Sequence, residues 1–182
     1  MSAPKTYVAL LRGINLAGRN RVPMAELRSA LESLGLEDVV TYIQSGNVVF
    51  RGRGGRAEEL APSIEGRIAE AFGIDVVVLL RTPAELAKVA RGNPFLRAGA
   101  DPSKLHVVFL SGKPATKAAA QLDPERSPPG EFRLEGREIY LHLPTGFGRS
   151  KLTVDYFERQ LRVSTTARNW KTVTKLVALA KA

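Results

Sequence analysis

The order of apolar segments in the first 81 residues restricts the fold more than any other feature of this sequence. Two segments repeat apolar residues every three or four positions, as amphipathic helices do: Met24 to Leu34 and Ala61 to Phe72. Around them lie four short apolar runs that are typical of strands: Thr6–Arg12, Val39–Ile43, Asn47–Arg51 and Asp75–Arg81. The resulting order is β-α-β-β-α-β.

Residues at the ends of these segments support the assignment. Pro23 suits the first turn of the first helix, and Gly35 suits its end. Gln44-Ser45-Gly46 separates two strands and is typical of a hairpin turn, because glycine adopts a positive φ at little cost. Asp75–Arg81 is apolar on both faces, which predicts a central strand. We therefore predict a ferredoxin-like α+β domain over residues 1–82, with two helices on one face of an antiparallel sheet.

Residues 83–182 predict a second α+β domain. After a short helix that begins at Thr82-Pro83, the order is β-α-β-β-α, followed by a C-terminal helix. Its predicted elements are the strand Leu105–Leu110, the helix Pro114–Leu122, the hairpin Phe132–Leu134 with Glu138–Leu143, and the helices Ser150–Leu161 and Asn169–Ala180. Trp170 falls on the apolar stripe of the last helix, so we expect it in the core.

Composition argues against several classes of function. The chain has no cysteine and two histidines, His106 and His142, which are not at ligand spacing, so we expect no metal site. Neither GxxxxGK[ST] nor GxGxxG occurs, so no cofactor is expected. The apolar runs are far shorter than the roughly 20 residues of a membrane span, and we expect a cytoplasmic protein. The net charge of +9 favours phosphate or nucleic-acid partners, although a solvated basic surface has the same composition.

Three polar segments are candidates for binding, because each lies at a predicted turn or helix start where backbone N–H groups can bind anions. They are residues 12–21, with three Arg and two Asn; residues 44–47; and residues 146–151 together with 165–172. In the third segment we expect Ser150 or Thr166 to cap the following helices. Cations beside helix N-termini are unfavourable, which indicates a bound anion there. An exposed basic loop or an ordinary cap is the alternative for each segment.

The same segments carry a resemblance to a known family. VALLRGIN at 8–15, TYIQSGNVVF at 41–50, GRSKL at 148–152 and TARNW at 166–170 resemble signatures of the domain-of-unknown-function 1697 family. The resemblance implies a two-part α+β fold and no assigned activity. Ala17 stands where the family tends to have Gly, which argues against a tight glycine turn at that point. The positions that match the family, and that we take as candidate ligand-binding residues, are Arg12, Asn15, Gln44, Asn47, Arg149, Lys151, Arg168 and Asn169.

Three functions are compatible with these observations. The leading hypothesis is a module that binds a phosphorylated or otherwise anionic ligand, such as a nucleotide or nucleic acid, through donor-rich turns. The alternatives are a metal-independent enzyme that acts on a small anionic substrate, and a non-catalytic interaction protein. A single shared site for a small ligand requires four side chains within about 15 Å of one another: those of Arg12, Gln44, Arg149 and Arg168.

Overall fold

A computed structural model describes residues 3–53 and 57–182 of the chain. These residues form a mixed α+β structure with two four-stranded antiparallel sheets and seven α-helices. Their packing divides the chain into two units. One contains the residues up to 86 together with Leu176–Ala182, and the other is Ala87–Lys175. Within the described ranges, no helix is both long enough and apolar enough to cross a membrane.

The first unit is built around one sheet. Its elements are β1 (Lys5–Leu11), α1 (Met24–Glu32), β2 (Glu37–Tyr42), β3 (Asn47–Gly52), α2 (Ala57–Phe72) and β4 (Val78–Arg81). The strands are arranged in the order β2-β3-β1-β4, and each neighbouring pair is antiparallel. The end of β1 therefore meets the start of β3, since Leu10 pairs with Asn47.

One face of this sheet packs against the two helices. Alternate residues of β1, including Ala9 and Leu11, join a buried cluster with residues from both helices. Leu27 of α1 and Ile64 and Ile68 of α2 are fully buried in it, as their helical spacing predicts. Each fully buried side chain of this size contributes about 1.5–3 kcal/mol.

Three expectations for the first unit are wrong. β4 lies at a sheet edge, not in its centre, because apolarity reports burial of the two faces and not the number of neighbouring strands. α2 begins at Ala57, four residues before the predicted start, so Pro62 lies inside the helix. The first turn carries Glu58 and Glu59 and lacks the apolar periodicity from which a helix is predicted. Leu34 lies beyond the end of α1 and is exposed.

The second unit contains another sheet with the same connectivity. The remaining elements are α3 (Pro83–Gly92), α4 (Pro94–Arg97), β5 (Leu105–Leu110), α5 (Thr116–Ala119), β6 (Glu131–Glu135), β7 (Glu138–His142), α6 (Val154–Leu161), β8 (Thr165–Asn169) and α7 (Trp170–Lys181). Both α3 and α7 have residues in each unit. The strand order β6-β7-β5-β8 places the second, third, first and fourth strands side by side, as in the first unit. Val108, Ile139 and Phe157 are at the centre of its core. Trp170 is buried, as predicted.

The strand β8 was not predicted, so the β-α-β-β-α order expected for this half is wrong. β8 pairs with β5 over its whole length. It was not predicted because most of its side chains are polar. Thr165 and Thr166 are nevertheless buried, and the backbone N–H of Thr165 donates to Glu158 Oε1 at 2.7 Å. The β-branched pair Thr165-Thr166 was the available signal for a strand. The helix predicted at Pro114–Leu122 is also shorter, and spans only Thr116–Ala119.

Candidate functional site

The first two polar segments meet at the end of the first sheet where β1 finishes. The N–H of Leu11 donates to the carbonyl of Gly46 at 2.8 Å, and the N–H of Arg12 donates to the carbonyl of Val77 at 2.9 Å. These bonds join the loop after β1 to the β2–β3 hairpin turn and to the chain before β4. We call residues 12–22 and 43–47 the first-unit cluster.

Asn15 holds the two parts of the cluster together. Its Nδ2 donates to the carbonyl of Val22 at 3.0 Å and to the carbonyl of Gln44 at 2.8 Å, and its Oδ1 accepts from the N–H of Val22 at 2.8 Å. Asn20 adds a hydrogen bond within the loop, since its Nδ2 donates to the carbonyl of Gly13 at 3.0 Å. The amide of Asn15 is therefore committed to fixing the loop against the turn.

Several residues of the cluster have a backbone conformation that is rare for residues other than glycine. Asn15, Ala17 and Asn20 have φ of 52°, 46° and 50°, in the left-handed region that asparagine tolerates and that costs alanine about 1–2 kcal/mol. Ala17 and Gly18 are the central residues of a tight turn closed by the N–H of Arg19 on the carbonyl of Leu16 at 2.8 Å. The presence of Ala17 argued against a tight turn here, but the turn forms with alanine in it. Such strain persists only where the surrounding bonds impose it.

The hairpin turn is closed from inside by Asn47. This side chain is fully buried, and its Nδ2 donates to the carbonyl of Tyr42 at 3.1 Å and to Ser45 Oγ at 3.0 Å. Gly46 has a φ of 81° and packs against the loop, whereas Gln44 is exposed. Of the two amides predicted to meet a ligand, Gln44 is at the surface and Asn47 forms the turn.

Charge is unevenly distributed over the first sheet. Arg19 and Arg21 are exposed and Arg12 is half-buried, while the sequence from residue 12 to residue 25 contains no carboxylate. Two acidic residues also lie at this end: Asp75, which is exposed and precedes β4, and Glu65, whose Oε1 accepts from the N–H of Val78 at 2.8 Å. At the opposite end, the carboxylates at the start of β2 pair with arginines: Glu37 with Arg53 at 2.7 Å and Asp38 with Arg51 at 3.1 Å. The loop of residues 12–22 is therefore purely cationic, while the carboxylates at this end of the sheet come from other elements.

The loop that carries Arg149 and Lys151 in the second unit is tied to a neighbouring loop. Both side chains are exposed. The N–H of Lys151 donates to Ser127 Oγ at 2.9 Å, and its carbonyl accepts from Arg126 Nε at 3.0 Å. Neither residue lies at a helix N-terminus, because α6 begins at Val154.

The predicted helix caps are wrong. Thr153, and not Ser150, caps α6 by accepting from the N–H of Tyr156 at 3.2 Å. Asn169, and not Thr166, caps α7: its Oδ1 accepts from the N–H of Thr172 at 2.8 Å. The prediction chose the hydroxyl nearest the expected helix start, but α6 begins later than expected and β8 occupies the residues before α7.

Arg168 is buried in β8, so the expectation of a cation crowded at a helix N-terminus does not apply to it. It pairs across the sheet with Val107, and only 6% of its surface is exposed. Its Nη1 donates to Thr166 Oγ1 at 2.7 Å and to the carbonyl of Ala167 at 2.8 Å. Burial lowers the pKa of Arg168 to about 10, so the guanidinium stays charged at neutral pH.

The eight candidates thus form two groups. The four of the first unit lie together in the first-unit cluster: Arg12, Asn15, Gln44 and Asn47. In the second unit, Arg149 and Lys151 follow β7, and Asn169 ends β8 at the same end of the second sheet. Convergence of all the candidates on one site stays a prediction.

His106 also lies at this end of the second sheet. It pairs across the sheet with Asn169, and its ring stacks on Phe147 with the ring centroids 5.0 Å apart. Its buried Nδ1 has no hydrogen-bond partner within the part of the chain that the structure describes. Burial lowers the pKa of His106 from 6.5. A histidine in the otherwise apolar strand Leu105–Leu110 was the signal available in the sequence.

The pKa of His106 predicts loss of stability in mild acid. Because the folded state disfavours the charged ring, the unfolded chain binds a proton first as the pH falls below about 6.5. We expect urea denaturation to give a lower free energy of unfolding at about pH 5.5 than at about pH 7.5. His106→Gln, which cannot be protonated, should show a smaller decrease. An equal decrease in both proteins would contradict the assignment.

Residues 3–53 and 57–182 contain no group of three or more His, Asp or Glu side chains that could hold an ion. The candidate residues of the two units carry arginine, lysine and amide groups. They donate hydrogen bonds and neutralise negative charge.

Comparison with known proteins assigns the family. The model of the family described as "Protein of unknown function (DUF1697)" matches residues 5–140. The chain belongs to this family. The DUF1697 match includes the first-unit cluster and ends before Arg149. The chain also resembles a solved structure, the conserved bacterial protein SP0830 from Streptococcus pneumoniae, with 24% identity and a TM-score of 0.75. The alignment covers 99% of this chain and 100% of that one, and it shows a shared fold. No curated protein matches the sequence.

Proposed function

We propose that the first-unit cluster binds a phosphorylated ligand, either a nucleotide or a single-stranded nucleic acid. The observation that carries the proposal is a preformed loop that bears arginines and no carboxylate, held in left-handed backbone by Asn15. Turns that alternate right- and left-handed residues present backbone N–H groups to anions. A loop that is already ordered also loses little conformational entropy on binding.

The side chains around the loop suit a nucleotide better than a bare anion. Arg19 and Arg21 are exposed and would contact phosphate oxygens. The exposed amide of Gln44 can donate to and accept from a base edge. Leu16 and Ile43 are 60% and 50% exposed and offer an apolar surface to a base or sugar. Ile43 is held at a φ of 49°, a strained conformation for a β-branched residue and one that recurs at functional sites.

The second unit carries candidate phosphate contacts of its own. Arg149 and Lys151 are exposed on an ordered loop and are suitable phosphate contacts. Arg168 and Asn169 support this role indirectly. The first is a buried cation bonded to its own strand, and the second caps α7.

For the fold, we propose that both units are ferredoxin-like. Two observations support this: the β-α-β-β-α-β order of the main elements in each unit, and the matching strand orders β2-β3-β1-β4 and β6-β7-β5-β8. Repetition of one topology within a chain also indicates that the units arose by duplication.

The binding proposal predicts a salt-dependent loss of affinity in the variant Arg19→Gln/Arg21→Gln. If both arginines contact phosphate on a single strand, the slope of log affinity against log salt should become shallower by about 1.4. Affinity itself should fall at every salt concentration. The measurement is fluorescence anisotropy of labelled single-stranded RNA and DNA, with competition by nucleoside triphosphates to separate the two ligand sources.

The control is Arg51→Gln/Arg53→Gln, which removes the same charge from the opposite end of the same sheet. We expect this control to bind as the wild-type protein does, apart from a small uniform loss from reduced net charge. Equal losses in both double variants would show attraction by net charge alone and would overturn the proposed site. Absence of binding to all these ligands at low salt would overturn the function.

A further inference from the structure

The edge strand β2 exposes apolar side chains to solvent. Val40, in the strand, is 44% exposed, and Ile43, which follows it, is 50% exposed. Leu34, just before the strand, is also exposed. Together with Leu16 these are the large hydrophobic residues that the described ranges leave exposed, and all of them are in the first unit. We call residues 37–43 the β2 edge.

The matching edge strand of the second unit is protected in the usual way. β6 occupies the position in its sheet that β2 occupies in the first. Its exposed residues Glu131, Arg133 and Glu135 are all charged, while Phe132 and Leu134 turn toward the core. Charged side chains on an edge oppose pairing with another strand. The centre of the β2 edge, at Val39 and Val40, has no such charge.

The β2 edge has carboxylates at one end and an arginine toward the other. The strand starts with Glu37 and Asp38, which pair with Arg53 and Arg51 but stay 36% and 68% exposed and so can accept from a further cation. Toward its other end, Arg28 from α1 reaches the strand and donates from Nη1 to Thr41 Oγ1 at 2.8 Å. A second copy placed antiparallel, with its Val40 opposite this Val40, brings the acidic start of each strand toward Arg28 of the other.

We propose that this chain forms a symmetric dimer by antiparallel pairing of two β2 edges. The two-fold axis passes beside Val40, and each first sheet continues into that of the second copy. A register shift between Glu37 and Val40, with Asp38 at a φ of 51°, confines regular pairing to the residues after Asp38. The pairing surface is therefore short, so we expect a weak, reversible dimer.

Sedimentation equilibrium over a range of protein concentrations tests the dimer. The wild-type chain of 19.8 kDa should show a reversible monomer–dimer equilibrium. Val40→Lys places a charge on the axis opposite its own copy and should shift the equilibrium at least tenfold toward monomer. Arg28→Glu leaves the strand unchanged but opposes carboxylates across the interface, so it should also weaken the dimer. Ala178→Lys, on the exposed face of α7, adds the same charge as Val40→Lys and should dimerise as the wild type does.

Each outcome decides the proposal. A wild-type chain that remains monomeric at the highest concentrations overturns it, as does a Val40→Lys protein that folds and dimerises normally. If Val40→Lys fails to fold by circular dichroism, Arg28→Glu decides alone: dimerisation as strong as wild type rejects the β2 edge. Weaker dimerisation of Arg28→Glu, with Ala178→Lys unaffected, supports it.

Discussion

Gly46→Ala is expected to lower the free energy of unfolding by about 2–5 kcal/mol. Two costs contribute. The backbone of Gly46 has a φ of 81°, which an L side chain rarely adopts. The new Cβ would also lie 2.7 Å from Leu11 Cβ and 3.0 Å from Ile14 Cδ1, both part of the buried core. Since Leu11 is held in the centre of the sheet, the clash can be relieved only by moving the hairpin turn.

Gly18→Ala separates these two costs. Gly18 has nearly the same φ, 79°, but a Cβ there would meet nothing within 4 Å. This variant should lose only the conformational cost of about 1–2 kcal/mol. Urea denaturation of both variants measures the difference. If the two alanines cost the same, the close packing of the turn against β1 is refuted.

These glycines illustrate what the sequence predicts reliably. Gly46 was assigned to a hairpin turn from its neighbours alone, because the turn needs a positive φ whatever surrounds it. The helical spacing of Ile64 and Ile68 likewise located the buried face of α2. Local conformation and one-sided burial are encoded within a few residues and can be predicted without knowledge of the rest of the fold.

The errors arise where the fold, and not the local sequence, determines the outcome. β8 was not recognised as a strand because Thr166 and Arg168 are polar, and the sequence does not show that the fold buries both while they bond within the strand. The edge position of β4 depends on the strand order of the sheet. The observed starts of α6 and α7 differ from the predicted ones because Thr153 and Asn169, and not the nearby hydroxyls, cap these helices.

Two of the polar segments that the sequence singled out lie together in the structure, while their role as a binding site stays a prediction. The meeting of residues 12–21 with the 44–47 turn was inferred only as a possible convergence, and the hydrogen bond from Asn15 to the carbonyl of Gln44 brings these two segments together. The division between structural and exposed amides could not be predicted. Asn47 and Gln44 have similar chemistry, and burial alone makes the first a turn residue and leaves the second at the surface.

Asn15→Ala should destabilise the protein and weaken ligand binding together. The substitution removes three side-chain hydrogen bonds, two to Val22 and one to Gln44, each worth about 0.5–1.5 kcal/mol. We expect the free energy of unfolding to fall by about 2–4 kcal/mol, including the cost of alanine in the left-handed region. The loop would also lose its attachment to the hairpin turn, so the proposed phosphate contacts would be ordered only on binding.

Asn20→Ala is the matched control for this test, since Asn20 has almost the same φ but makes one side-chain bond, to Gly13. Its stability loss should be smaller by about 1–3 kcal/mol, the difference between three bonds and one. Anisotropy with labelled RNA then separates the two roles of Asn15. If Asn15→Ala weakens binding at a temperature where it is fully folded and Asn20→Ala does not, the attachment of the loop to the turn is what preorganises the site. If both variants bind as the wild type does, the ordered loop is not where the ligand binds, because loss of its anchor would otherwise raise the entropic cost of every contact it makes.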